Sequence, residues 1–268
     1  MKKVVNRHFV YTIMLFSLLS LSCDRDDFPY DIYTMPDYIP ILESMNMPRP
    51  RGSYNYPIIP DMESWKEFQS RQEMEDACQV PFKILKKQST QAVIQALWEY
   101  PLVYDFFAWN SYQKGYEFVY SPLNAYQELL KRSDAAACFL DRYMLVSEMQ
   151  KGYAVAHHIL EMHLAQEHFI NQLSSDDRRK VVDRCLKIMR LRRMNPDYYD
   201  FPIELNISYY LIGRIMKYDN YSPFFDIISV HPEWTVFFDN NNSYVITDEK
   251  IDIFRDGIIE IANDYINS

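Results

Sequence analysis

The sequence has little glycine, no paired-cysteine motif and no long hydrophobic run. Only 5 glycines occur in 268 residues, which argues against sheet-rich folds with many tight turns. The 4 cysteines show no C-x-x-C spacing, so neither a disulfide framework nor a zinc motif is predicted. No segment approaches about 18 uncharged apolar residues, the length at which a membrane-spanning helix would be predicted.

Motifs that would name a reaction are missing as well. The chain contains no G-x-S-x-G elbow, no glycine-rich phosphate loop and no H-E-x-x-H string, so no catalytic residue and no cofactor is predicted. Carboxylate pairs can always be found among 37 acidic residues, but without a cleft their spacing selects nothing. The net charge of −9 makes nucleic acid an unsuitable partner.

The first 22 residues have the order of a secretory signal. Lys2, Lys3 and Arg7 precede an uncharged run over 9–21, and the small residues Ser20 and Ser22 lie at its end. Basic, apolar and small residues in this order are typical of signal peptides. The 13-residue run would cover only about 20 Å as a helix, which is shorter than the ~30 Å hydrocarbon core of a bilayer.

The end of this signal, SLSC with Cys23 last, resembles the cleavage box of bacterial lipoproteins. The resemblance implies that Cys23 becomes the lipidated mature N-terminus. The acidic stretch over 24–27 is similar to the export tag of surface lipoproteins of Bacteroidetes, which implies an outward-facing position on the outer membrane. Cleavage by the ordinary signal peptidase, with Cys23 incidental, remains the alternative.

Residues 23–62 are predicted to be a tether between the lipidated cysteine and a folded domain. The part from 24 to 62 carries 7 of the 14 prolines and five tyrosines, with no sustained helical repeat. Proline-rich composition of this kind indicates a semi-rigid spacer.

Residues 63–268 are predicted to form one all-α domain. Capping patterns begin at Ser64, Ser70 and Ser174, and brief connections favour antiparallel neighbours. The expected fold is a compact array of short antiparallel helices, with one long helix at 147–173 and little or no strand. The segment 234–247 is interpreted as a loop rather than a small hairpin.

The strings YPL, FFAWN, NAYQELLKR and DAA, in this order between Ser89 and Ala136, resemble an uncharacterised group of helical lipoproteins of Bacteroidetes. The resemblance covers roughly residues 65–140. It implies the fold and the location, and it supplies no catalytic residue.

A histidine-rich stretch, HHILEMHLAQEH at 157–168, is the first place to look for a metal site. Helical ligands must lie three or four residues apart to share an ion, and no two histidines here have that spacing. What remains are histidine–glutamate pairs that could each supply two ligands, and a metal site would need further ligands from another helix. The residues of these pairs are His157, His158, Glu161, His163 and Glu167. No metal is predicted; His163 is expected to pack in the core, and the other histidines to be solvated or paired with glutamates.

The stretch 176–193 carries eight basic and three acidic residues. Lys180, Arg184 and Lys187 share one helical stripe. This stripe is interpreted either as a solvated face, or as a patch that binds membrane phosphates or an acidic partner.

Three cysteines follow Cys23, and Cys185 lies in step with apolar neighbours, which predicts a buried thiol. A bridge between two of Cys78, Cys138 and Cys185 is left open.

The sequence therefore predicts a lipid-anchored binding or assembly module on the outer membrane. Its partners are expected to be the membrane, through the lipid, and an outer-membrane protein or a glycan. Exposed aromatic residues suited to such contacts are expected around FFAWN, at 106–110, with Tyr104 and Tyr112. The alternative is a hydrolase or metal-dependent enzyme with its site near His157–His168.

Overall fold

The computed structural model describes residues 48–109, 111–146, 154–194, 204–240, 246 and 248–268. The signal segment, Cys23 and most of the predicted tether lie outside these residues, as do 147–153 of the predicted long helix.

The described residues form α-helices, short 3-10 segments and connections, with no strand, so the all-α prediction is confirmed. The 3-10 segments are Glu63–Glu67, Val103–Ala108 and Asp248–Lys250. The α-helices are α1 Arg71–Ala77, α2 Phe82–Leu85, α3 Thr90–Trp98, α4 Tyr112–Tyr120, α5 Asn124–Leu129, α6 Ala135–Leu145, α7 Ala154–Leu164, α8 Glu167–Ile170, α9 Ser175–Met194, α10 Glu204–Tyr218, α11 Ser222–Val230, α12 Trp234–Asn240 and α13 Ile251–Ile266.

Serine side chains begin several of these helices. Ser70 accepts a hydrogen bond from the Glu73 amide at 3.2 Å, and Ser89 accepts one from the Ala92 amide at 3.2 Å. Ser174 accepts one from the Asp177 amide at 3.1 Å. Each bond satisfies an amide that the first helical turn leaves without a partner.

Two helices lie deepest in the core. Every residue of α3 from Ala92 to Trp98 is buried, and so is every residue from Ala156 to Ala165 in and just after α7. The α7 helix packs mainly against α6 and α10. Helix α7 is therefore enclosed by the protein although it carries polar side chains, and the histidine-rich stretch runs through the interior as far as Ala165.

The single long helix predicted at 147–173 is wrong in its described part. Helix α7 ends at Leu164, Gln166 has an extended ψ of 132°, and α8 begins at Glu167. The side-chain Nε2 of Gln166 donates to the Met162 carbonyl at 2.8 Å and to Gln113 Oε1 of α4 at 3.1 Å. These bonds hold the chain in a turn where the pattern predicted a continuous helix.

The loop predicted after Trp234 is also wrong, because residues 234–240 form α12. Trp234, Phe237 and Phe238 are all buried. Their spacing of three and four residues places them on one helical face, which packs into the core.

The chain ahead of the first helix lies along α3. Arg49 forms a two-pronged ion pair with Glu99, with both N···O distances at 2.9 Å. The Tyr56 hydroxyl donates to the Ala96 carbonyl at 2.8 Å. Residues 49–56 are thereby attached to the helical core.

Candidate functional site

Glu161 is the centre of a closed polar cluster inside the core. It is fully buried, and it accepts hydrogen bonds from the Tyr143 hydroxyl at 2.7 Å and from the Ser208 hydroxyl at 2.9 Å. The Tyr143 oxygen also lies 3.3 Å from Cys185 Sγ. Burial raises the pKa of Tyr143 well above its ordinary value, so the phenol stays protonated. The cluster joins α6, α7, α9 and α10 and is sealed from solvent.

His163 lies on another side of α7, among aromatic rings. Its Nδ1 is hydrogen-bonded to the Tyr116 hydroxyl at 2.7 Å, and its ring stacks on Phe139 with centroids 4.5 Å apart. Burial lowers the pKa of His163 to about 3, because the charged ring would lose its hydration. The prediction that His163 packs in the core is confirmed.

The other histidines were expected to be solvated or paired with glutamates, and solvation is excluded for His157 and His158, which are 0% and 2% exposed. Only Glu167 and His168 of this stretch are exposed. Among the described residues, no group of three or more metal-ligating side chains converges. The sequence carried a signal for this burial, because no lysine or arginine occurs between Lys151 and Arg178.

The basic stripe on α9 is partly used by contacts within the chain. Lys180 pairs with Asp177 at 2.8 Å, and the Arg184 guanidinium donates to the Val146 carbonyl. Lys187 is exposed. Internal contacts therefore engage Lys180 and Arg184 of the proposed partner-binding stripe.

The three described cysteines are free thiols. Cys185 is buried, as predicted, and Cys78 is buried too. Burial raises the pKa of Cys78 to about 12, and burial with nearby acids raises that of half-buried Cys138 to about 11. Thiols with raised pKa values are poor nucleophiles and poor metal ligands.

The aromatic residues around FFAWN mostly pack against each other. Phe106 is buried and stacks on Tyr112, with ring centroids 5.5 Å apart. Trp109 is half-buried against Phe118 at 5.1 Å. Asn110 lies outside the described residues. The described rings therefore do not present the exposed aromatic platform that was expected here.

An open cavity of about 330 Å³ lies on the surface near the start of α3. Arg51 and Gly52 form one wall, and Lys83, Ile84 and Lys87, in and after α2, form the other. No sequence pattern predicted this cavity. The available signal was composition, because the 18 residues from Pro81 to Trp98 contain three lysines and no acid.

No helix in the described ranges has the length and apolar character needed to cross a membrane. Comparison of the chain with protein-family models, with curated proteins and with solved structures gave no match. The resemblance to helical lipoproteins of Bacteroidetes thus stays a prediction.

Proposed function

We propose that the protein is a lipid-anchored binding or assembly module on the outer face of the outer membrane. The observation that carries this proposal is the order of the first 23 residues, in which a basic start, an apolar run and small residues end at Cys23. Acyl groups on Cys23 would anchor the chain stably, because more than one lipid chain is needed for lasting attachment. The acidic residues at 24–27 support an outward-facing position.

Burial argues against catalysis near His157–His168. Glu161, His158 and His163 are at most 2% exposed, so a substrate could reach them only if the core opened. An enzyme of the hydrolase or metal-dependent class needs convergent polar groups in a cleft that its substrate can enter. The buried polar groups instead join helices, which favours a structural role for this stretch.

Replacement of the proposed anchor residue tests the location. We expect the wild-type protein to fractionate with outer membranes and to carry an acylated N-terminal peptide that begins at Cys23. The Cys23→Ala variant should lose the acyl group, and its processing should stop or change. A Cys138→Ala variant is the matched control, since it removes a thiol outside the signal and should fractionate as the wild type does.

Two results would contradict the anchor. One is a wild-type protein whose mature N-terminus carries no acyl group by mass spectrometry. The other is a Cys23→Ala variant that remains in the membrane fraction in the same amount as the wild type.

Crosslinking on intact cells tests the binding role. We expect a membrane-impermeant crosslinker, which reaches only outward-facing lysines, to join the protein to an outer-membrane partner. Recovery of the protein without any crosslinked partner, while its lysines are modified, would count against an assembly role.

A further inference from the structure

We propose that the cavity between Arg51 and the α2–α3 turn binds a small phosphomonoester. This inference rests on the proposed binding role and deepens it by naming the class of ligand. The site is distinct from the buried polar groups of α7 and from the basic stripe on α9.

The first argument is charge. Arg51, Lys83 and Lys87 line one cavity, and none of the three forms an ion pair or a side-chain hydrogen bond with any described residue. Most other cations described here have an acidic partner, as Arg49, Lys66 and Arg132 do. Three like charges at one cavity repel each other, and an anion placed between them would relieve that repulsion.

The second argument is that the walls are held in place before a ligand arrives. Gln88 is 8% exposed, lines the cavity and donates to the Gly52 carbonyl at 3.0 Å, which ties one wall to the other. Arg132, which follows α5, donates to the carbonyls of Leu85 and Gln88 at 3.2 and 2.9 Å. These bonds hold the α2–α3 turn in place. A site whose walls are fixed in advance loses less conformational entropy on binding.

Gly52 allows the turn that forms the Arg51 wall of the cavity. Its φ of +82° lies in the left-handed region, which glycine adopts without strain. This conformation turns the chain between Arg49, which is paired with Glu99, and Ser53, whose hydroxyl donates to the Pro50 carbonyl at 2.7 Å. Arg51 is thus carried on a defined turn.

The third argument concerns the kind of anion. One guanidinium and two ammonium groups match a doubly charged phosphate with three terminal oxygens better than a singly charged carboxylate. The volume of about 330 Å³ is at the small end of ligand pockets. Ile84 lines the cavity and is 41% exposed, so an organic group attached to the phosphate would find an apolar contact.

Such a phosphomonoester could be a soluble metabolite-sized ester or the headgroup of phosphatidic acid. Titration of the full-length protein with glycerol phosphate, by calorimetry at low salt, tests the soluble source, and glycerol is the neutral control probe. Flotation of the chain from residue 24 onward, which has neither the signal segment nor Cys23 to acylate, with vesicles of phosphatidylcholine, with and without phosphatidic acid, tests the lipid source.

Three variants locate the site. Lys83→Gln and Lys87→Gln each remove a cavity charge and should weaken binding about 3-fold to 10-fold. Lys86→Gln is the matched control, because Lys86 is exposed on the same turn, contacts the Phe82 ring and does not line the cavity. It removes the same charge and should change affinity less than about twofold.

Saturable binding of glycerol phosphate with this order of effects would support a soluble ester as ligand. Binding only to vesicles that contain phosphatidic acid, with the same order, would support the lipid headgroup. The inference is overturned if neither probe binds, or if Lys86→Gln weakens binding as much as the cavity variants do. None of these results depends on acylation at Cys23. The proposed lipid anchor can therefore be disproved while the phosphomonoester site is supported, and the site can be disproved while the anchor is supported.

Discussion

Protonation of His163 is expected to set part of the pH dependence of stability. The ring is 1% exposed, and burial lowers its pKa from 6.5 to about 3. In the unfolded chain the same group titrates near its ordinary value. Between these two pKa values the unfolded chain therefore binds one more proton at this residue than the folded protein does.

The sign and size of the effect follow from this difference. Because the pKa of a base is lower in the folded state, the stabilisation is complete above about pH 6.5 and is lost as the pH falls toward about 3. Within that window the free energy of unfolding changes by about 1.4 kcal/mol per pH unit for one proton. From pH 6 to pH 4.5, His163 should therefore remove about 2 kcal/mol of stability.

Urea unfolding followed by circular dichroism at several pH values would measure this. A His163→Phe variant cannot take up the proton, so it should lose about 2 kcal/mol less than the wild type over the same interval. Groups common to both proteins, including His157 and His158, cancel in the comparison. If both proteins lose equal stability between pH 6 and pH 4.5, the argument from burial is wrong.

Tyr116→Phe provides the control. It removes the hydrogen bond to His163 Nδ1 and should lower stability by about 1 kcal/mol. Because His163 remains buried in this variant, the pH dependence should match that of the wild type. An altered slope would show that the Tyr116 bond, rather than burial, governs the titration.

Three further variants or labels test the core. Gly213→Ala should destabilise the fold by about 1–3 kcal/mol in urea unfolding, because the added Cβ would lie 2.1 Å from the buried ring of Phe238; an unchanged midpoint would show that the ring can move. Tyr143→Phe should cost about 1–3 kcal/mol, since it removes a buried donor to Glu161, and a neutral effect would mean that the carboxyl finds another donor. Iodoacetamide should label half-buried Cys138 before the two buried thiols; because only the thiolate reacts, the rate should rise about tenfold with each pH unit as the pH approaches the raised pKa of about 11 from below. Peptide mass spectrometry that finds a buried thiol labelled first would contradict the packing.

Several helix starts were predictable because their cause is local, whereas the capping pattern at Ser64 was wrong, since Ser64 lies inside the 3-10 segment Glu63–Glu67, which has no side-chain cap. Ser70, Ser89 and Ser174 each lie three residues before the amide that they accept from, and this distance is visible in the sequence. The all-helical fold follows from the same local patterns, together with the scarcity of glycine.

The break after Leu164 was not predictable in this way. No proline or glycine marks it, and the turn at Gln166 depends on Gln113 in α4 and on Arg214 in α10, which donates to the Ala165 carbonyl at 3.3 Å. Contacts between residues about 50 positions apart decided the backbone there. In contrast, α12 could have been recognised, because Trp234, Phe237 and Phe238 already show helical spacing.

The candidate functional residues also depend on contacts that are distant in the sequence. Adjacent histidines looked solvated because neighbouring positions on a surface helix usually face different sides, whereas α7 is enclosed on all sides. The phosphate cavity was hidden for another reason, since Arg51 lies 32 residues from Lys83. The two come together through the attachment of residues 49–56 to α3 and through the bond from Gln88 to the Gly52 carbonyl.

That attachment has a mechanical consequence. A pull on the chain ahead of residue 48 first meets the Arg49–Glu99 pair, whose two parallel bonds must part together. The next contact along the chain is the bond from Gln88 to the Gly52 carbonyl, in the cavity wall itself, and the bond from Tyr56 to the Ala96 carbonyl follows. Arg51 lies between Arg49 and Gly52, so the force acts on the Arg49–Glu99 pair before it reaches the cavity wall. A pull on the chain ahead of residue 48 would therefore leave the cavity geometry unchanged until the Arg49–Glu99 ion pair breaks.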